Sequence, residues 1–119
     1  MANPFVHLEL NTPDAAKAKD FYGQLFGWQF QDMDMGPAGT YSTFKPDNAP
    51  GGGITSMPGG KHGWLAYVGV DNIHASTDKA RALGATTLMD CDEIPNIGWI
   101  TIINDPTGCT IALFQPKTA

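Results

Sequence analysis

The segment from Phe5 to Gly27, FVHLELNTPDAAKAKDFYGQLFG, carries the two patterns from which the fold is predicted. At its start, apolar and polar residues alternate with the two-residue period of a β-strand. Leu8 and Leu10 therefore point to one side of the strand, while His7 and Glu9 point to the other. One face of this strand suits a core, and the other carries side chains capable of chemistry.

The second half of the segment predicts a helix directly after the strand. Asn11-Thr12-Pro13-Asp14 offers a capping side chain followed by proline at the first helical position. Apolar residues then recur at helical spacing from Ala15 to Leu25. We expect a helix from about Pro13 to Phe26 that ends at Gly27.

The rest of the chain repeats this order. In the first half we expect further strands at Trp28–Met33, Tyr41–Lys45 and Gly53–Met57. The second half begins after the linker-like Met57-Pro58-Gly59-Gly60-Lys61 and contains another strand, a helix capped by Asn72 and ended by Gly84, and three more strands. Its expected strands are Trp64–Val70, Thr86–Asp90, Trp99–Ile103 and Cys109–Phe114, with a type I turn at Asp105-Pro106-Thr107-Gly108 before the last.

This repeat predicts an α+β fold of two βαβββ modules in one domain. The domain covers residues 1–119, with module 1 at about 1–57 and module 2 at about 62–119. The chain has 119 residues, which is a usual size for a single domain.

Composition excludes several classes of function. Twelve acidic against seven basic residues give a net charge of −5, so the chain cannot neutralise a row of phosphates and no nucleic-acid partner is expected. With 42% hydrophobic and 16% charged residues the chain is too apolar for disorder. No stretch is long enough to cross a bilayer and no secretory signal is visible, so a cytoplasmic protein with no membrane partner is predicted. Cys91 and Cys109 are interpreted as free core thiols.

The sequence resembles the vicinal oxygen chelate superfamily, which contains glyoxalase I, bleomycin-resistance proteins and extradiol dioxygenases. The resemblance rests on the Val6–Leu10 strand, on FYGQLFGW at 21–28, on ALGA at 82–85 and on DPTGCTIALFQP at 105–116. It implies two βαβββ modules that form a curled mixed sheet around a cup, with the active site in the cup. It also implies a small-molecule ligand and a homodimer.

The resemblance further implies where a divalent metal would be bound. Active members use His, Glu or Gln at equivalent strand positions, which fall here on His7, Thr55, Leu65 and Ala112. Only His7 is a metal ligand by type, and one imidazole does not compete with water for a divalent ion. We therefore predict no metal and no cofactor. A set made of His7, Glu9 and His62 remains an alternative, although His62 is more typical of a solvated loop, and His74 in a helix is a weaker candidate still.

His7 and Glu9 are the candidate catalytic residues, because imidazole and carboxylate on one strand face form a minimal acid–base pair. A satisfied histidine in the core is an equally open interpretation of His7. Tyr67, which is equivalent to Glu9 in the repeat, is the third candidate, either as a hydrogen-bond donor or as a space-filling ring. The cup is predicted to be lined also by Thr55, Leu65, Thr110, Ala112 and Phe114. That lining favours an apolar or aromatic ligand.

Three functions are consistent with these residues, and the sequence leaves open whether the protein is an enzyme. The first is a small-molecule-binding protein with a degenerate metal site. The second is a metal-dependent lyase, isomerase or dioxygenase of glyoxalase type, and the third is a metal-free acid–base enzyme that uses His7 and Glu9. Under all three, Leu8, Ala66 and Val68 are expected to pack beneath the helices, so that Leu8→Ala costs about 2 to 5 kcal/mol.

Overall fold

The computed structural model describes residues 3–56 and 61–117. It contains eight strands, two α-helices and a short 3-10 turn at Gly36–Ala38 within those ranges. The first half holds β1 (Phe5–Asn11), α1 (Ala15–Phe26), β2 (Gln31–Asp34), β3 (Thr40–Phe44) and β4 (Gly51–Thr55). The second half holds β5 (Gly63–Gly69), α2 (Ile73–Ala82), β6 (Thr86–Ile94), β7 (Gly98–Asn104) and β8 (Thr110–Pro116). Neither described helix is long and apolar enough to cross a membrane.

These elements form two compact units. The N-terminal unit contains residues 7–56 and 61–65, and the C-terminal unit contains residues 3–6 and 66–117. In the N-terminal unit the strand order is β2-β3-β4-β1, with β1 parallel to β4 and the other pairs antiparallel. In the C-terminal unit the order is β5-β8-β7-β6, with β5 parallel to β8. The predicted repeat of one strand, one helix and three strands is therefore present twice, with mixed pairing each time.

Local signals set the ends of the helices. Asp14, rather than a residue before Pro13, caps α1, since its Oδ1 accepts the N–H of Lys17 at 3.0 Å, and α1 therefore begins at Ala15. Gly27 ends α1 in the left-handed conformation at φ 73°. The side chain of Asn72 caps α2 as predicted, by accepting the N–H of Ala75.

Several strand boundaries differ from the prediction for reasons of packing and pairing. β2 begins only at Gln31, because Trp28 and Phe30 pack against the buried Leu10 and Phe44 instead of joining the sheet. β4 begins at Gly51, where it pairs with β1. Of the predicted linker at 57–61, residues 57–60 lie outside the described residues.

The strand β6 is longer than predicted, extends to Ile94 and is irregular at Cys91. Cys91 has a positive φ of 52°, and its N–H donates to the Thr101 hydroxyl at 2.9 Å. Thr101 in turn shares a hydrogen bond with Thr77, and both threonines are fully buried. Both cysteines are free, as predicted, but Cys109 is exposed, so its assignment to the core is wrong.

The core of the N-terminal unit lies between its strands and α1. Leu10, Phe44 and Ile54 are buried there, and the residues packed around them are Ala15, Ala18, Tyr22, Trp28 and Phe30. Leu8 shares a strand face with Leu10 but is 36% exposed, so its predicted closed packing beneath the helix is wrong. Leu8 instead lines an apolar cavity of about 460 Å³ together with Trp28, Phe44, Pro46, Ala49, Pro50 and Trp64.

Candidate functional site

The face of the N-terminal unit opposite α1 carries the polar residues predicted from the first strand. β1 pairs with β4 so that His7 is opposite Gly51, Glu9 is opposite Gly53, and Leu10 is opposite Ile54. Because Leu10 and Ile54 pack toward α1, strand alternation places His7 and Glu9 on the other face. Both are half-buried.

Tyr41 joins these two side chains. Its hydroxyl lies 2.6 Å from Nε2 of His7 and donates to Oε1 of Glu9 at 3.0 Å. The imidazole and phenol rings are nearly parallel, with an interplanar angle of 17°. The sequence analysis did not identify Tyr41 as a site residue. Tyr41 lies on β3, and only the short strand β4 lies between β3 and β1 in the sheet.

Gly53 makes room for Tyr41. A Cβ atom added at Gly53 would overlap the Tyr41 ring and hydroxyl, so the phenol occupies the space that a side chain on β4 would take. Glycine opposite Glu9 in the ladder is the signal that could have indicated a ring lying across this strand.

Burial lowers the pKa of the His7 imidazole below its ordinary value, because a charged ring is poorly solvated there. The neutral imidazole is therefore the favoured form near neutral pH. Neutral imidazole can accept a proton at one nitrogen while it donates a hydrogen bond from the other. The group of His7, Tyr41 and Glu9 is thus chemically able to move a proton, and we call it the polar triad.

A cavity of about 610 Å³ reaches His7 within the same unit. Aromatic and polar residues both contribute to its lining. The residues are His7, Gln29, Phe30, Gln31, Thr43, Phe44, Lys45, Gly51 and Gly52. We call this space the His7 cavity.

The remaining predicted site residues of the N-terminal unit lie near strand ends. Thr55 is 3% exposed, and its hydroxyl donates to the backbone oxygen of Thr40 at 3.3 Å. Leu65 is half-buried, whereas His62 is exposed.

The predicted site residues of the C-terminal unit share one sheet face. Tyr67 on β5 pairs with Ala112 on β8, and alternation puts Thr110 and Phe114 on the same side as Ala112. Tyr67 and Ala112 are buried. The Thr110 hydroxyl donates to the side-chain oxygen of Asn104 at 2.6 Å. Among these four residues the Tyr67 phenol and the Thr110 hydroxyl are the polar side-chain groups.

The four positions at which the resemblance implies a metal do not fit one chemically. Thr55 uses its hydroxyl on a backbone oxygen, and Leu65 and Ala112 have no donor atom. Among residues 3–56 and 61–117 no three His, Cys, Asp or Glu side chains come together as a metal-binding group. The alternative set of His7, Glu9 and His62 is therefore not assembled, and His74 is exposed on α2.

Known proteins are similar to this chain over most of its length. Residues 5–113 match the family described as Glyoxalase/Bleomycin resistance protein/Dioxygenase superfamily. The chain is 34% identical over 114 residues to the Mycobacterium bovis protein named "Putative glyoxylase CFP32", covering 91% of this chain and 44% of that protein. It is 27% identical over 126 residues to "Anthracycline biosynthesis protein DnrV" of Streptomyces peucetius, covering 90% of this chain and 45% of that protein. The chain thus spans less than half the length of these curated relatives.

Solved structures show the same fold at lower identity. Methylmalonyl-CoA epimerase from Mycobacterium tuberculosis matches with a TM-score of 0.73 and 16% identity, covering 96% of this chain and 88% of that one. A hypothetical protein from Bacillus halodurans matches with a TM-score of 0.77 and 11% identity, covering 100% and 98% of the two chains. These likenesses support the α+β fold class predicted from the two βαβββ repeats, which is confirmed. Since the family match covers residues 5–113, this chain belongs to the glyoxalase/bleomycin resistance protein/dioxygenase superfamily.

Proposed function

We propose that this protein binds an apolar or aromatic small molecule in the His7 cavity and does so without a bound metal. The observation that carries the proposal is the cavity itself, whose volume of about 610 Å³ is adjacent to the polar triad. Sites for small ligands typically occupy about 300 to 1,000 Å³ and combine apolar walls with a few polar groups.

The chemistry of the cavity lining favours an aromatic ligand that carries oxygen substituents. Phe30 and Phe44 are the two aromatic residues of the lining, and their rings pack edge to face with centroids 5.7 Å apart. Gln31 and the exposed cation of Lys45 offer hydrogen bonds to oxygen atoms at the edge of such a ligand. The similarity to a protein named for anthracycline biosynthesis supports a polycyclic aromatic compound as the ligand class.

The metal-free part of the proposal rests on the donor atoms at the implied metal positions. His7 is the one imidazole among His7, Thr55, Leu65 and Ala112, and its Nε2 is 2.6 Å from the Tyr41 hydroxyl. Elemental analysis of protein purified without chelators or an affinity tag should find far less than one equivalent of zinc, nickel, manganese or iron. About one equivalent per chain would overturn this part and favour the glyoxalase-type metal enzyme.

We expect 1,8-dihydroxyanthraquinone, an aromatic probe with oxygen substituents, to raise the melting temperature. A ligand that binds only the folded state stabilises it by about 2.7 kcal/mol at a hundred times its Kd. Lys45→Met should weaken binding of the probe by about 3- to 10-fold, which corresponds to the net contribution of one typical hydrogen bond. Lys79→Met, which removes an exposed lysine of α2 outside the cavity, is the matched control and should leave binding unchanged. Calorimetric titration measures both.

Amide chemical shifts determine whether the probe occupies the proposed cavity. Binding in the His7 cavity perturbs Gln31 and Thr43 most strongly. Perturbation confined to Ala49 and Trp64 would place the probe in the apolar cavity beside Leu8 and would contradict the proposal. Absence of any stabilisation across hydroxylated naphthalenes and anthraquinones would contradict the ligand class.

A second function, proton transfer on a bound carbonyl compound, is favoured by the polar triad. The Glu9 carboxylate would take a proton from the carbon next to the carbonyl, leaving an enolate, and would then return a proton to the same carbon. In D₂O this cycle replaces hydrogen by deuterium and needs no co-reactant. The predicted contributions of Tyr67, Leu65, Thr110, Ala112 and Phe114 to either function stay predictions.

The second function predicts exchange of the methyl hydrogens of acetophenone in D₂O. Wild-type protein should accelerate the exchange above buffer, and Glu9→Gln should reduce the acceleration by about 100-fold or more, which is typical for loss of an acid–base group. Proton NMR follows the loss of the methyl signal, and Glu93→Gln, a carboxylate on β6 outside the cavity, is the control. Equal rates for wild type and Glu9→Gln would exclude Glu9 as the base.

A further inference from the structure

We propose that Tyr41 is a positioning residue, whose hydroxyl holds the His7 proton on Nε2 and couples the imidazole to Glu9, and that Gly53 is required to admit the Tyr41 ring. The inference rests on the second proposed function only for its effect on turnover. Its structural part concerns the ligand-free protein.

The direction of the two hydrogen bonds follows from counting protons. The Tyr41 hydroxyl has one hydrogen, which it donates to Oε1 of Glu9 at 3.0 Å. At the 2.6 Å contact with His7, the same oxygen must then act as acceptor, so Nε2 carries the proton. The reverse direction would leave the hydroxyl oxygen and the carboxylate oxygen facing each other with no hydrogen between them.

A neutral imidazole has two tautomers, and a neighbouring group selects between them. Burial lowers the pKa of His7 and so favours the neutral ring in which this choice exists. With the proton held on Nε2, the basic nitrogen of His7 is Nδ1. Tyr41 therefore determines which nitrogen of the neutral His7 imidazole carries the proton.

The position of Tyr41 depends on an absent side chain at Gly53. Glu9 lies on β1 and Tyr41 on β3, and β4 runs between these strands. A Cβ atom at Gly53 would overlap the Tyr41 ring, whereas the φ of Gly53 lies outside the left-handed range that favours glycine. Glycine is required at this position for space and not for backbone conformation.

The test measures the tautomer of His7 in ligand-free protein by ¹⁵N NMR of the imidazole at pH 8, with His7→Gln used to assign its signals among the three histidines. Wild type should be predominantly protonated on Nε2. Tyr41→Phe, which keeps the ring and removes the hydroxyl, should raise the fraction protonated on Nδ1 by about two-fold or more. Gly53→Ala should do the same by displacing the ring. Gly23→Ala, where the new methyl group meets atoms only at 3.5 Å or beyond, should not.

Unfolding measurements separate displacement of Tyr41 from general damage to the fold. If the methyl group of an alanine at position 53 clashes with the Tyr41 ring, the clash is absent once that ring is removed. Gly53→Ala should therefore lower the Tm less in a Tyr41→Ala background than in wild type. Equal losses in both backgrounds would overturn the role of Gly53.

An unchanged Nε2–H tautomer in Tyr41→Phe would overturn the role of Tyr41. Failure of wild type to exchange acetophenone hydrogens would instead overturn the second proposed function, while the tautomer result would stand. If the positioning role of Tyr41 and the second proposed function both hold, Tyr41→Phe should lower the rate of acetophenone exchange and shift the pH profile of that rate. Changing the phenylalanine back to tyrosine should restore the rate and the profile.

Discussion

Leu10→Ala is expected to lower the free energy of unfolding by about 2 to 5 kcal/mol, and Leu8→Ala by less than half as much. The two residues lie on one face of β1, but Leu10 is 8% exposed beside Phe44 and Ile54, whereas Leu8 is 36% exposed. Truncating Leu10 leaves a void in a closed core, while Leu8 loses only part of its contacts in an open cavity. Urea denaturation of both variants measures the difference.

The two variants are controls for each other, because each replaces one leucine of β1 by alanine. A larger loss for Leu8→Ala than for Leu10→Ala would mean that the closed core lies elsewhere on β1. Equal losses would indicate that the apolar cavity beside Leu8 is filled in solution.

Gly52→Ala is the second large effect, and we expect a loss of about 3 kcal/mol, which is the upper range for an overpacked site. A Cβ atom at Gly52 would overlap the carbonyl oxygen of Leu8 on the neighbouring parallel strand and the end of the Phe44 ring. A backbone oxygen held in a ladder cannot move away as a side chain can. Thermal unfolding against Gly23→Ala, expected to be neutral or slightly stabilising in α1, measures the effect.

The neighbouring Gly53 provides a direct comparison with Gly52. An alanine at Gly53 meets the far end of the Tyr41 side chain, which can rotate away, so Gly53→Ala should cost less than Gly52→Ala. A Gly52→Ala variant as stable as Gly23→Ala would show that β1 and β4 are farther apart than their parallel pairing implies.

Local structure was largely predictable because its causes lie within a few residues. The turn at 105–108 is an example. The Asp105 carboxylate accepts the Thr107 hydroxyl, and its Oδ1 also accepts the N–H groups of Thr107 and Cys109. These bonds, the Thr107 hydroxyl foremost, lower the pKa of Asp105. Gly108 supplies the positive φ of 93° that ends this turn. Asn72 and Gly27 act at helix ends in the same local way.

Other features depended on partners distant in the chain. The start of β2 moved to Gln31 because Trp28 stacks on Phe44 with centroids 4.4 Å apart, a contact that alternation alone does not reveal. The exposure of Leu8 likewise depends on how much of that face of β1 is covered by packed side chains. Periodicity assigns a face to a residue, but not the degree to which that face is covered.

By itself the sequence determined the fold class, the repeat of two βαβββ modules and the placement of His7 and Glu9 on one strand face. These follow from periodicity, capping and turn residues, which act between near neighbours. Only the tertiary structure decided that Tyr41 bridges the two side chains, because that contact needs the register of three strands at once. It equally decided the need for glycine at position 53, since the space a residue may fill is set by side chains from other strands.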